Sequence, residues 1–199
     1  MRPTYLKLGA FLFLFAEYGH TWQSKSQLSD IRRTIMIRAE ILEQLNTTEE
    51  LMTFYLGRDV HEIFHSMTGT KIFPVITTDT ETVFSDCFTA MVGFAGSYNG
   101  ILSINTPRKV AHQITSEMLG MEVTDSDVRD ALGEIANITA GSFKRHYATD
   151  GHEVSISTPS IISSGKHSMS IGKAPDTLTI KFDYCSEHFV VCLCLEAGE

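Results

Sequence analysis

Thr124-Asp-Ser-Asp-Val-Arg-Asp130-Ala-Leu-Gly-Glu134-Ile-Ala-Asn137-Ile-Thr-Ala-Gly141-Ser-Phe-Lys-Arg-His146 reads as one long helix entered through a cap-rich start, and the spacing predicts it over residues 126–146. At about 100° per residue, Val128, Leu132 and Ile135 share one sector. Asp130, Glu134, Asn137 and Gly141 share another, roughly 150° away. The first sector faces a core and the second faces solvent. Glu134 and Asn137 stand three apart, so their Cβ atoms lie about 5–6 Å from each other and both side chains can engage one target. Gly133 and Gly141 each cost a helix about 1 kcal/mol relative to Ala. Two of them beside a polar pair call for a reason: close approach by another surface is one, and packing of the glycines against a neighbouring strand, with Glu134 and Asn137 on an ordinary solvated face, is the other.

The neighbouring segments give this helix its setting. Met52, Leu56, Val60, Ile63 and Met67 form the apolar line of an earlier helix, capped by Asn46-Thr47-Thr48 and stopped by Gly69. Residues 71–77 read as an edge strand because Pro74 interrupts them. The runs 82–95 and 101–105 flank Ser97-Tyr98-Asn99-Gly100, an Asn-Gly hairpin signal. Pro107 opens a further helix that ends at Gly120, with Val110, Ile114 and Met118 as its apolar line. Strands are expected at 152–157, 168–172, 177–184 and 189–195. In the third of these Leu178, Ile180, Phe182 and Tyr184 alternate with polar residues. The expected fold class is α/β (α+β), an antiparallel-rich sheet covered by helices.

Composition narrows the function. The 199 residues are 43% hydrophobic, enough for one sizeable core. A net charge of −8 and a pI near 5.4 argue against nucleic acid. Cys87, Cys185, Cys192 and Cys194 are too few and too uneven for a disulfide framework and are expected to be buried thiols in a reducing, cytoplasmic setting. At the N-terminus Arg2 and Lys7 precede an apolar run from Leu8 to Ala16, too short for a membrane span. No small-x-small cleavage pair follows it. A secretory signal is one reading of this segment. The preferred one is an N-terminal extension over residues 1–35, with Met36 an alternative start and 36–199 forming the domain.

The series Asp130-xxx-Glu134-xx-Asn137, followed by small residues to Gly141, resembles the acidic/Ser-xxx-Glu-xx-Asn signature of the CheX/CheC chemotaxis phosphatases. The glycine-punctuated stretch from Phe94 through Gly100 to Ile104, the segment from Pro107 to Gly120, and Thr158-Pro159 through Gly165 resemble successive parts of the same family. Together they span roughly residues 50–196. This resemblance implies a CheC/CheX-like pseudo-duplicated domain that hydrolyses the aspartyl phosphate of a CheY-like response regulator. It implies that Asn137 orients the attacking water and that Glu134 grips the receiver's active-site Lys. Asp130, Gly133 and Gly141 become partner contacts. No cofactor of its own is implied, since Mg2+ is held by the partner receiver. A homodimer through a sheet edge is left open. A non-catalytic receiver-binding module of the same fold shares every one of these features.

His61-Glu62-Ile-Phe-His65 matches HExxH, which on a helix can hold zinc through its two histidines with Glu62 as general base, the pattern of a zinc peptidase and a further alternative function. No third ligand follows at metzincin spacing, and no metal is expected. Glu62-Ile-Phe-His65 with Gly69 also has the spacing of Glu134-Ile-Ala-Asn137 with Gly141. Glu62 and His65 are therefore a candidate degenerate second site, the alternative being a plain surface histidine pair.

Overall fold

Two glycines in the left-handed region set the helix ends that the sequence predicts. The computed structural model describes residues 37–75, 82–147, 153–164, 169–171 and 176–197. Helix α1 covers Ala39–Gln44 and α2 covers Glu49–Thr68, where the Thr48 side chain accepts from Leu51 N and Gly69 closes the end at φ +74°. Helix α3 covers Arg108–Leu119 after Pro107 and stops at Gly120, φ +68°. Helix α4 covers Asp125–Tyr147, one residue longer at each end than its apolar spacing predicts. Helix α1 is not legible from periodicity, because six residues give too few turns. It nevertheless adds to the core, since Ile41 within it and Ile37 and Leu45 at its two ends are buried.

The strands are β1 Phe73–Val75, β2 Thr82–Phe84, β3 Cys87–Gly96, β4 Tyr98–Pro107, β5 Val154–Ile156, β6 Ser160–Ser164, β7 Met169–Ile171, β8 Thr177–Tyr184 and β9 Glu187–Ala197. Seven form an antiparallel sheet in the order β1-β8-β9-β4-β3-β5, with β6 also paired to β3. Strands β2 and β7 make a separate two-stranded ribbon. The run 82–95, read as one strand, is thus broken at residues 85–86 and shared between two sheets. Strand β1 sits at an edge, as Pro74 requires.

The chain runs helix, edge strand, hairpin twice. First come α2, β1 and the β3–β4 hairpin; then α4, β5 with β6, and the β8–β9 hairpin. Each edge strand pairs with the other half's hairpin, β1 with β8 and β6 with β3. This is the pseudo-duplicated arrangement. Helix α4 lies over β3 and β6, and α2 lies over β8 and against α4. The alternation in β8 turns Leu178, Ile180, Phe182 and Tyr184 into the core. There Phe64 of α2 stacks on Phe189 at 4.8 Å, and Phe143 of α4 meets Phe94 at 5.7 Å.

Two local expectations change. The β3–β4 turn lies at Gly96-Ser97, ahead of Asn99-Gly100, and Tyr98 is already buried core. Gly100 serves strand packing instead: a Cβ there would meet Cys194 O at 2.4 Å. Nor are all four cysteines buried. Cys185 is exposed in the β8–β9 turn, where Cys185 (φ +48°) and Ser186 (φ +70°) form the left-handed pair of a two-residue hairpin. All four are free thiols. No helix among the described residues is long and apolar enough to cross a membrane.

Candidate functional site

Helix α4 is fixed at both ends and along one flank, which leaves its polar crest free. At its start Thr124 and Asp127 form a reciprocal cap: Thr124 N donates to Asp127 Oδ2 at 2.7 Å and Asp127 N donates to Thr124 Oγ1 at 3.4 Å. The backbone and side-chain donors of Thr124 hold the Asp127 carboxyl below its usual range. Asp125 receives Arg108 Nη1 at 2.6 Å and pairs with His112 Nε2 at 2.8 Å, and Arg108 also grips Asp86 at 2.8 Å. These bonds, Arg108 first, lower the Asp125 pKa. They tie α4 to the start of α3 and to the link before β3. At the far end His146 Nε2 reaches Asp59 Oδ2 of α2 at 2.7 Å, and Tyr147 OH meets Thr47 Oγ1 at 3.5 Å.

Along the flank, Gly133 is buried, and a Cβ on it would lie 3.7 Å from both Pro159 Cβ and Ile161 Cδ1. That is ordinary contact distance. The segment leading into β6 therefore packs beside α4 at Gly133 with room for a Cβ between them. Gly141 has nothing within 4 Å of its Cβ position, so no neighbour inside the chain requires a glycine there.

The crest carries the predicted residues together. Asp130 and Glu134 are exposed, Asn137 and Gly141 are half-buried, and Gly133 lies just below the crest on the β6 side. Val128, Leu132, Ile135, Ala136 and Ala140 fill the opposite face as core. Among the described residues no side-chain hydrogen bond or ion pair engages Asp130, Glu134 or Asn137. A carboxylate and a carboxamide one turn apart are thus presented with their acceptor and donor capacity unspent.

Helix α2 carries the second spacing in a different state. Arg58 stands where α4 has Asp130 and approaches Glu62 at 3.8 Å. Glu62 and His65 are exposed, and His65 Nδ1 turns back to Gly69 O at 3.2 Å. The expected surface histidine pair is not one, because His61 is buried and bonded through Nδ1 to Ile72 O. Its ring packs against Phe73 at 5.5 Å, at the position that Gly133 holds on α4. Phe64, the counterpart of Ala136, is wholly core. Among the described residues there is no cluster of three or more metal-ligating side chains.

Sequence reasoning did not find the Arg108-Asp86-Asp125-His112 clamp or the Asp59–His146 bridge. Both join residues far apart in the chain, and neither leaves a local pattern. It also left β6 unassigned, because Ser160-Ile-Ile-Ser-Ser164 lacks clean alternation.

Residues 88–183 match the family model described as chemotaxis phosphatase CheX. No curated protein sequence matches the chain. Among solved structures, a chemotactic CheC-like protein from Shewanella oneidensis MR-1 is 25% identical with a TM-score of 0.59, covering 71% of this chain and 95% of that one. The chemotaxis protein CheX from Desulfovibrio desulfuricans is 24% identical, TM-score 0.61, covering 73% and 99%. CheX of Borrelia burgdorferi, solved in a CheX-CheY-BeF3-Mg2+ complex, shares the fold at 18% identity and TM-score 0.54, covering 71% and 96%. Residues 88–183 thus carry the CheX family match, and the chain shares its duplicated helix-and-hairpin fold with the CheX/CheC chemotaxis proteins.

Proposed function

We propose that this chain hydrolyses the aspartyl phosphate of a CheY-like receiver domain, with Glu134 and Asn137 as its working residues. The observation that carries the reading is the pairing of these two side chains, one turn apart on a rigidly held helix and free of partners among the described residues. Hydrolysis requires a water oxygen to attack phosphorus in line with the departing aspartate oxygen. The phosphorus–carboxylate bond breaks, and inorganic phosphate leaves with the water's proton. The receiver's own Mg2+ and Lys neutralise the phosphoryl oxygens, so positioning is what the phosphatase must add. The Asn137 carboxamide oxygen accepts a hydrogen bond from the water and fixes its direction. Glu134 receives the receiver's Lys and sets the depth of approach.

Asp130 supports the same contact one turn earlier, and Gly141 keeps the crest low one turn later. Glu62 and His65 do not form a working second copy in this reading: Arg58 attends the carboxylate, and imidazole replaces the carboxamide. The test is loss of phosphate from phosphorylated receiver domains of the same organism, with and without the chain. Acceleration abolished by Asn137→Ala supports the proposal. Absence of acceleration for every receiver, with binding retained, leaves a docking module.

A further inference from the structure

Beside the crest runs a second exposed line that this chemistry does not use. Thr158 and Ser160 are exposed and Pro159 is half-buried, and no residue from Ser157 to Ser164 carries a charge. We infer that Thr158, Pro159 and Ser160 form the uncharged side wall of the receiver-docking surface and govern which receivers are accepted. This rests on the proposed phosphatase reading and adds the specificity element to it.

Three observations converge. The first is proximity: a Cβ at Gly133, the residue immediately before Glu134, would stand 3.7 Å from the side chains of both Pro159 and Ile161. Position 137 is one turn on from 133, and helical geometry leans it about 40° from Gly133, toward the same flank. Asn137 therefore sits between crest and wall. A specific interface covers about 800 Å² on each partner. A receiver whose phosphoryl group reaches Asn137 cannot avoid this wall.

The second is rigidity. Ser157 N donates to Gly93 O at 2.9 Å, and Ser157 Oγ accepts from Gly93 N at 2.9 Å and donates to Thr158 O at 2.9 Å. Beyond Pro159, β6 is zipped to β3 from Ser160↔Met91 to Cys87↔Ser164, and Arg129 Nη2 holds Ser163 Oγ at 3.1 Å. A wall ordered before binding adds contact without an ordering cost.

The third is chemistry. The crest is acidic and the wall neutral, and the Thr158 and Ser160 hydroxyls make no hydrogen bond among the described residues. A receiver that presents its Lys to Glu134 is best matched to the wall by an uncharged loop, because Ser157 to Ser164 offer a covered charge no partner of their own.

The experiment is steady-state hydrolysis across a titration of phosphorylated receiver, with parallel binding to the receiver held by beryllofluoride and Mg2+. Thr158→Arg and Ser160→Arg, both exposed and so neutral to folding, are expected to raise KM and the dissociation constant at least tenfold. They should leave kcat within about twofold, and Thr158→Ser should match wild type. Wild-type KM and binding in both Arg variants would overturn the wall. A wild-type chain that binds the beryllofluoride receiver without hydrolysing phosphate would instead strike the phosphatase reading, with the wall still read by binding. No binding at all would overturn both.

Discussion

His146 at the end of α4 and Asp59 in the middle of α2 are bridged across the helix seam, Nε2 to Oδ2 at 2.7 Å. Asp59 is buried, Arg58 Nη2 reaches its other oxygen at 2.9 Å, and the Tyr55 ring stacks on His146 at 4.2 Å. His146→Ala removes a donor from a buried carboxylate and is expected to cost about 1–3 kcal/mol. The thermal midpoint should fall by several degrees, while kcat at saturating receiver stays near wild type. An unchanged midpoint would show that Arg58 alone satisfies Asp59.

Gly141 tests whether a partner comes close to the crest. Space is open at its Cβ position, so Gly141→Ala should raise stability by up to about 1 kcal/mol through helix propensity. If the receiver approaches the backbone there, the same change should raise KM severalfold. A more stable variant with wild-type KM would remove Gly141 from the docking surface.

The clamp at the start of α4 makes a pH-dependent prediction. Arg108 first, then His112, hold the Asp125 carboxyl below its ordinary 3.8. A group with a depressed folded pKa contributes stability above its unfolded pKa and loses it as pH falls through the folded value. Asp125→Asn should therefore lower the urea midpoint near neutral pH. That deficit should shrink as the pH is taken below about 3.8. A deficit that stays constant down to about pH 2 would mean packing, not charge, is lost.

The α2 spacing is expected to be silent in catalysis. Glu62→Ala combined with His65→Ala should leave hydrolysis within about threefold of wild type, roughly 0.6 kcal/mol of barrier. A loss comparable to that of Asn137→Ala would make α2 a second working site.

What was legible in the sequence follows the range of the interactions. Helices α2, α3 and α4 announce themselves through local caps, terminal glycines and a repeat of three to four residues. Strand β8 does so through alternation. The crest of α4 is equally local, since Asp130, Glu134, Asn137 and Gly141 fall on one line of one helix. Helix α1 and strand β6 were missed because their order comes from elsewhere. Asp176 Oδ1 accepts Arg38 N at 2.7 Å from across the chain, and β6 is defined by its pairing with β3. His61 was misplaced for the same reason: only the fold shows that Ile72 O lies beside its ring. Gly100 shows the limit of a turn signal, being a glycine demanded by a neighbouring strand.

The division of labour between Glu134 and Asn137 is the most direct test of the account. The measurement is single-turnover loss of phosphate from a saturating phosphorylated receiver, paired with calorimetric binding to the beryllofluoride receiver. Asn137→Ala is predicted to bind nearly as wild type and to hydrolyse about 100-fold more slowly, about 2.7 kcal/mol of transition-state stabilisation. Glu134→Ala is predicted to weaken binding, with a smaller effect on the saturated rate. An Asn137→Ala variant that hydrolyses at the wild-type rate would contradict the assignment of water positioning to this helix.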